Sequence, residues 1–413
     1  MPALEFPAPF DLFPPGREAG LERLRDFVPH AGREYAAGRN ADSGPGRKRG
    51  VSMLSPWIRH RLLSEHEVVR AVLERWAPST AEKFIQEVFW RSYWKGWLQM
   101  RPQVWDAFVE ESRRELERVR ANAGMSRALT DAEQGRTGIE CFDDWARELV
   151  ATGYLHNHVR MWFASIWIFT LKLPWALGAD FFLRHLLDAD PASNTLGWRW
   201  VAGIQTPGKT YLARADNIEK FTHGRYRPTG LAREAPAIRD ERPPSAGELE
   251  ALPDLPDGGK ALLLLHGDDL VGLDALPNGV DTTGAVVCAA GHPDHPWPFG
   301  DKAVAFVGKA AADAAVRAQL SLSANATSIE SLGADALIER AQQAGADWVL
   351  APEAPVGPLR DALFAVSAEL DAAGLPLYRF RRDWDTAAWP LATKGFFPFK
   401  KHIPRLLERA GLT

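Results

Sequence analysis

A chain of 413 residues, 46% hydrophobic and 25% charged, has ample material for a large buried core in two domains and is neither disordered nor fibrous. Its two cysteines, Cys141 and Cys288, can build neither a four-thiolate metal cluster nor a disulfide framework, which points to a reducing cytoplasm. The net charge of −4 is divided unevenly: residues 1–230 carry 32 Lys and Arg against 28 Asp and Glu, and residues 231–413 carry 17 against 25, so a polyanion would meet the first half. Met1–Glu5 lacks the basic start and apolar run of an export signal. The most apolar stretch, Met161–Leu171, ends at Lys172 and Pro174, roughly 11 residues where a membrane span needs about 20, so a soluble protein with no membrane partner is expected.

Along residues 1–227, apolar residues three and four apart at Leu21–Phe27, Glu65–Trp76, Thr80–Leu98, Val104–Ala121 and Phe142–Thr152 predict a mainly helical domain. Residues 228–259 are rich in Pro, Gly, Ala, Glu and Asp without a sustained period, the composition of an exposed linker. From 260 to 413 the period changes. Short apolar runs at Ala261–His266, Ala285–Ala289, Ala303–Val307, Trp348–Ala351 and Leu377–Phe380 read as strands, with helices at Ala310–Leu320, Ala334–Ala344 and Leu359–Ala373, which predicts a Rossmann-like parallel α/β domain.

The most informative block is Thr152-Gly-Tyr-Leu-His-Asn-His-Val-Arg-Met161, followed by Trp175, Leu187-Asp-Ala-Asp-Pro-Ala-Ser-Asn194 and Gly197-Trp-Arg-Trp200. Asn157, Arg160 and Met161 share a helix face, because residues three and four apart are neighbours on a helix. Two readings fit the residues alone: a buried planar polar ligand held by amides, an Arg and Trp walls, or a core helix with a satisfied Arg160–Asp188 pair.

These residues resemble the photolyase/cryptochrome flavoproteins, whose flavin domain carries TGW-HN-x-x-RM, a later Trp, D-x-D-x-x-x-N and G-W-x-W in the same order, with Tyr154 here in place of the first Trp. Val51-Ser-Met-Leu-Ser-Pro56 is similar to the family's phosphate-binding turn, and Gln86-Glu-Val-Phe-Trp-Arg91 to its E-x-x-W-R helix. More loosely, Lys260–Leu270, Gly345–Leu350, Leu359–Leu370 and Phe396–Lys401 look like its α/β domain, which in the family comes first. The resemblance implies a circular permutation, with an all-helical FAD-binding domain followed by the antenna-type domain.

What the resemblance implies for function is light-driven splitting of cyclobutane pyrimidine dimers in UV-damaged DNA by a monomeric, FAD-dependent photolyase, or else a cryptochrome-like photoreceptor that binds FAD without repair, or a relic that keeps the fold without FAD. By the same resemblance, Tyr35, Ser52, Leu54, Ser55, Phe84, Arg91, Asn157, Arg160, Asp188, Asp190 and Asn194 would hold FAD, with Arg160 pairing Asp188 and Asn194 facing the reactive flavin nitrogen, while the loop Gly44–Gly50 either adds three positive charges near the diphosphate or is a solvated flexible loop. Glu87, Asn157, Trp90, Met161 and Trp200 would line the dimer pocket, and Trp198 and Trp175 would be the inner members of an electron-transfer chain whose outer member has no counterpart by position, so that Trp105, Trp162 or Trp167 would fill its place or photoreduction would be weak. The chain departs from the family at Val51, Phe84, Tyr154 and His158, the last standing where an Arg often meets DNA phosphate. No metal is required, and a second, antenna chromophore is expected without its identity being legible. His266 and Asp268-Asp269 would sit at the mouth of the first strand, where α/β ligands usually bind.

Overall fold

Residues 6–47, 50–238, 242–271, 276–290, 299–322 and 325–413 are described in the computed structural model; Met1–Glu5, and Lys48 and Arg49 of the basic loop, lie outside the described residues. The first half is helical: α1 (Pro9–Leu12), α2 (Arg17–Phe27), α3 (Arg33–Gly38), α4 (Ser55–Arg59), α5 (Glu65–Leu73), α6 (Glu82–Gln99), α7 (Gln103–Arg120), α8 (Ala123–Glu133), α9 (Glu140–Thr152), α10 (Asn157–Ser165), α11 (Trp175–His185), α12 (Pro191–Val201) and α13 (Ala215–Phe221). Local chemistry sets several boundaries. Ser64 and Glu67 form a reciprocal capping box on α5, and Asp190 caps α12 with Pro191 at its first position. α9 stops at Gly153, whose φ of +69° is open to glycine, and a Cβ there would lie 2.6 Å from Leu187 Cγ. α10 runs on into a π-helical turn, Ile166–Thr170, which carries Trp167.

Residues 228–259 contain no helix or strand among the described residues, and none of those is buried. They are nevertheless laid against the helical body: Ile238 N donates to Ala202 O at 3.2 Å, Arg101 Nε to Pro244 O at 2.8 Å and Gly247 N to Met100 O at 2.9 Å.

The second half is a parallel sheet, β1 (Lys260–His266), β2 (Asp281–Ala290), β3 (Ala326–Ser331), β4 (Trp348–Pro352) and β5 (Leu377–Phe380), in the order β3-β2-β1-β4-β5. Helices α14 (Asp301–Leu322), α15 (Ala334–Ala344) and α16 (Pro358–Ala372) connect and cover it. One expectation is overturned: Ala303–Val307 is helical, because buried Phe306, Ala310, Ala314 and Ala318 continue one four-residue row along α14. The missing strand is β3, an edge strand of Thr, Ser and Glu with no apolar run to reveal it.

The C-terminus does not close the α/β domain. After β5, α17 (Asp383–Ala388), α18 (Phe396–Lys400) and α19 (Ile403–Arg409) cross back to the helical body, and Phe396, Phe399, Leu406 and Leu407 join its core. Gly96 of α6 makes this possible: a Cβ there would lie 2.6 Å from the Trp389 backbone. Trp384 stacks on Phe89 at 4.8 Å and donates from Nε1 to Ser92 Oγ at 2.8 Å.

Candidate functional site

The site is built where α6, α10 and the loop from α11 to α12 converge. His156 caps α10, its Nδ1 accepting from His158 N at 3.1 Å. One turn later, Arg160 donates from Nε to Leu155 O at 2.9 Å and from Nη2 to Asp188 Oδ2 at 2.8 Å, with its guanidinium 5.4 Å from the Tyr154 ring. Burial alone would push Asp188 up, but Arg160 and the Ser55 hydroxyl hold its carboxyl below the usual carboxylate range. Asp190, 2% exposed, accepts from Ser193 N at 2.8 Å and faces Arg91 Nη1 at 3.6 Å and Lys95 Nζ at 3.8 Å. Against its burial, Lys95, Arg91 and Arg59 lower it to about 2.

Phe84, Glu87, Arg91 and Lys95 recur three and four residues apart, so they lie on one face of α6. Tyr35 is edge-on to Phe84 at 5.3 Å and to Phe27 at 5.7 Å, an aromatic cluster at the start of that face. Glu87 is paired with Arg39; its burial outweighs that cation and raises its pKa. In the turn before α4, Met53 has φ +53°, Arg23 Nε donates to Ser52 O at 2.6 Å, and Leu54 N donates to Ser52 Oγ at 3.4 Å. The helix that follows has five residues, so its dipole adds little to any anion site there.

Trp90 stacks face to face on Phe396, 3.6 Å between centroids and 12° between planes, so the C-terminal segment takes one face of that ring. His158 packs on Trp162 at 4.3 Å, lies 3.0 Å from Asn40 O through Nδ1 and 3.3 Å from the Tyr211 hydroxyl through Nε2, and burial lowers its pKa. Trp200 stacks on Tyr211 at 5.7 Å, Asn157 is exposed and Met161 half-buried. Asn194 Nδ2 donates to Ala179 O at 2.7 Å, tying α12 to α11.

Trp198 is buried edge-on to Phe182 at 5.1 Å and to Trp167 at 6.2 Å, over Gly178, where a Cβ would lie 2.4 Å from its ring. Trp175 donates from Nε1 to Glu111 Oε1 at 3.0 Å and connects through Phe108, at 5.7 Å, to Trp105, a further 5.4 Å on. The residues that sequence reasoning missed are Lys95 and Arg59, whose charges converge on Asp190; a Lys inside an aromatic helix face was the available signal.

His266, Asp268 and Asp269 do not line an open mouth. Asp268 pairs with Arg59, Asp269 takes Arg382 in a two-pronged pair at 2.5 and 2.7 Å and Arg61 at 3.3 Å, and His266 Nε2 lies 2.8 Å from Pro352 O. The strand-end charges are spent on docking the two halves. Beside them is a cavity of about 980 Å³ lined by residues that include Arg61, His66, Arg381, Arg382 and Trp384. Among the described residues, no group of three or more His, Cys, Asp or Glu could hold a metal, and no helix is long and apolar enough to cross a membrane.

Residues 84–225 match the family described as the FAD binding domain of DNA photolyase. The chain carries a photolyase-type FAD-binding domain. A deoxyribodipyrimidine photo-lyase of Alkalihalophilus pseudofirmus is 32% identical over 198 residues, 48% of this chain and 40% of that protein. Among solved structures, a class III photolyase from Agrobacterium tumefaciens is similar at 28% identity and a TM-score of 0.41, covering 51% of this chain and 43% of its own. A Synechocystis cryptochrome is similar at 24% identity and a TM-score of 0.43, covering 54% and 46%. The chain thus spans less than half the length of these relatives. The photolyase-type domain fits FAD on its own chemistry: Arg91 Nη1, Lys95 Nζ and Trp198 Nε1 are buried without a hydrogen-bond partner, donors suited to a polar ring system with an anionic tail.

Proposed function

We propose that the protein is a monomeric, cytoplasmic photolyase that splits cyclobutane pyrimidine dimers in UV-damaged DNA by light-driven electron transfer, with its α/β half a permuted antenna-type domain carrying a second chromophore. The observation that carries this reading is the convergence of buried Asp188 and Asp190, with Arg160, Arg91 and Lys95, on the elements that also present Asn157, Met161, Glu87 and Trp90. FAD, when bound and reduced, supplies the light absorption and the electron. The chain's residues do the rest. Arg160 and Asp188 orient the flavin ring, Tyr35, Phe84, Asp190 and Asn194 border it, and the turn Ser52–Ser55 meets the diphosphate. Trp90, Met161 and Trp200 wall the space for a base taken out of the duplex, Glu87 hydrogen-bonds its edge, and His158 stands at the rim. Trp198 and Trp175 conduct toward the surface, and the Phe108 contact favours Trp105 as the outer member of that chain.

The second reading, a cryptochrome-like photoreceptor, is favoured by two observations: both ring nitrogens of His158 lie against protein partners, and Phe396 covers one face of Trp90. The assay that separates them uses purified protein with reduced FAD, an oligonucleotide containing one thymine dimer, and blue light against a dark control. Restored thymines only in the light support repair; none, from protein that holds FAD, moves the assignment to the photoreceptor. Glu87→Ala should lower the repair yield about tenfold while flavin content stays constant, in line with the loss of one charge-assisted hydrogen bond. Loss of bound flavin in that variant would remove Glu87 from the substrate side.

A further inference from the structure

Six large hydrophobic side chains are exposed among the described residues, and Phe397 is the most exposed of them at 79%. Phe364, the other aromatic, is flanked by the guanidinium groups of Arg360 and Arg379, at 5.7 and 4.9 Å; Phe397 has no ring or cation contact among the described residues. Its backbone, by contrast, is held from both sides. Phe396 stacks on Trp90, Phe399 lies 5.5 Å from the Tyr93 ring, the Tyr93 hydroxyl donates to Lys394 O at 2.9 Å, and Lys400 pairs with Glu82 at 3.0 Å. With the backbone already held, only the rotamers of the Phe397 ring remain to be ordered when a flat partner covers it, so the ordering cost of that contact is small.

The charge around it has one sign. Residues 394–405 hold Lys394, Lys400, Lys401 and Arg405 with no acidic residue, although residues 231–413 as a whole carry 17 basic against 25 acidic side chains. Lys394 and Lys401 are exposed and unpaired by any described acid. An exposed aromatic between exposed lysines is the combination used to stack on bases and neutralise the backbone of a nucleic acid. Its place is beside Trp90, one helical turn from Glu87.

We propose that the segment Lys394–Lys401 is part of the DNA-binding face, with Phe397 stacking on a base next to the lesion and Lys394 and Lys401 contacting phosphates. This rests on the photolyase reading and adds to it a contact surface contributed by the C-terminal segment. The experiment measures binding of the full-length, flavin-loaded protein to a duplex containing one thymine dimer, in the dark, over a series of salt concentrations. Phe397→Ala should weaken binding roughly tenfold with an unchanged salt slope, and Phe397→Trp should restore it. Lys394→Ala with Lys401→Ala should lower the slope of log affinity against log salt by about two units. Flavin absorbance checks that each variant is folded. Wild-type affinity in Phe397→Ala overturns the stacking contact, and an unchanged slope in the double variant overturns the phosphate contacts. Failure of the wild type itself to bind the duplex removes the photolyase reading and this inference with it.

Discussion

At the scale of single residues, the electrostatics around Asp190 decide how the site responds to acid. Its carboxyl titrates at about 2 in the folded chain against an ordinary value of 3.8, because Lys95, Arg91 and Arg59 outweigh its burial. A depressed carboxylate contributes stability that is present above its unfolded pKa and is lost as pH falls through the folded one. The window therefore runs from about pH 4 down to about pH 2, and the contribution is on the order of 2 kcal/mol. Asp190→Asn should be less stable than the wild type at pH 7, with the gap closing as pH falls through that window; urea unfolding at several pH values measures it. A gap independent of pH would mean that the capping bond to Ser193, not the charge, is what Asp190 contributes. The Arg160–Asp188 pair was legible in the sequence through the family motifs and as the pairing that a core Arg and Asp would need, but the partners of Asp190 were not. Lys95, Arg91 and Arg59 come from α4 and α6, and nothing in their spacing says that they meet an acid a hundred residues further on.

At the scale of elements, α6 carries two duties on two faces. One presents Phe84, Glu87, Arg91 and Lys95 to the site, and the other accepts the C-terminal segment through Phe89, Tyr93 and Gly96. Gly96 is costly in a helix interior by about 1 kcal/mol relative to Ala, so helix propensity alone would favour Gly96→Ala. The close approach of Trp389 reverses that sign: the added methyl would overlap its backbone, and the variant should be destabilised by about 1–3 kcal/mol in denaturant unfolding. Equal or greater stability would show that the C-terminal segment shifts at no cost. Periodicity revealed the long helices and the buried strands, since each has an apolar face or run. It failed at Ala303–Val307, where five consecutive apolar residues suit either period, and at β3, whose edge position needs no apolar run.

At the scale of the whole molecule, the two halves are joined by buried charge. Asp269 sits between Arg382 and Arg61, and Arg61 continues to Glu65 at 3.2 Å and Asp385 at 2.6 Å. Removing one member strands the others away from water, which typically costs about 3–5 kcal/mol. Asp269→Ala should therefore lower the thermal stability of the chain, and if the seam is what couples the halves, calorimetry should resolve two transitions in place of one. A single transition at the wild-type temperature would contradict that role. By itself the sequence determined the helical and α/β halves, the photolyase-type motifs and the ordered set of polar residues on α10 and α12, because these depend on local period and on residues close in the chain. Only the tertiary structure decided that the strand-end acids serve as a seam, that His158 is packed against Trp162 and Asn40, and that Phe396 covers Trp90 while Phe397 faces solvent. Those facts depend on which distant side chains share a low-dielectric space, and burial with its partners, not residue type, sets the charge and reach of each group.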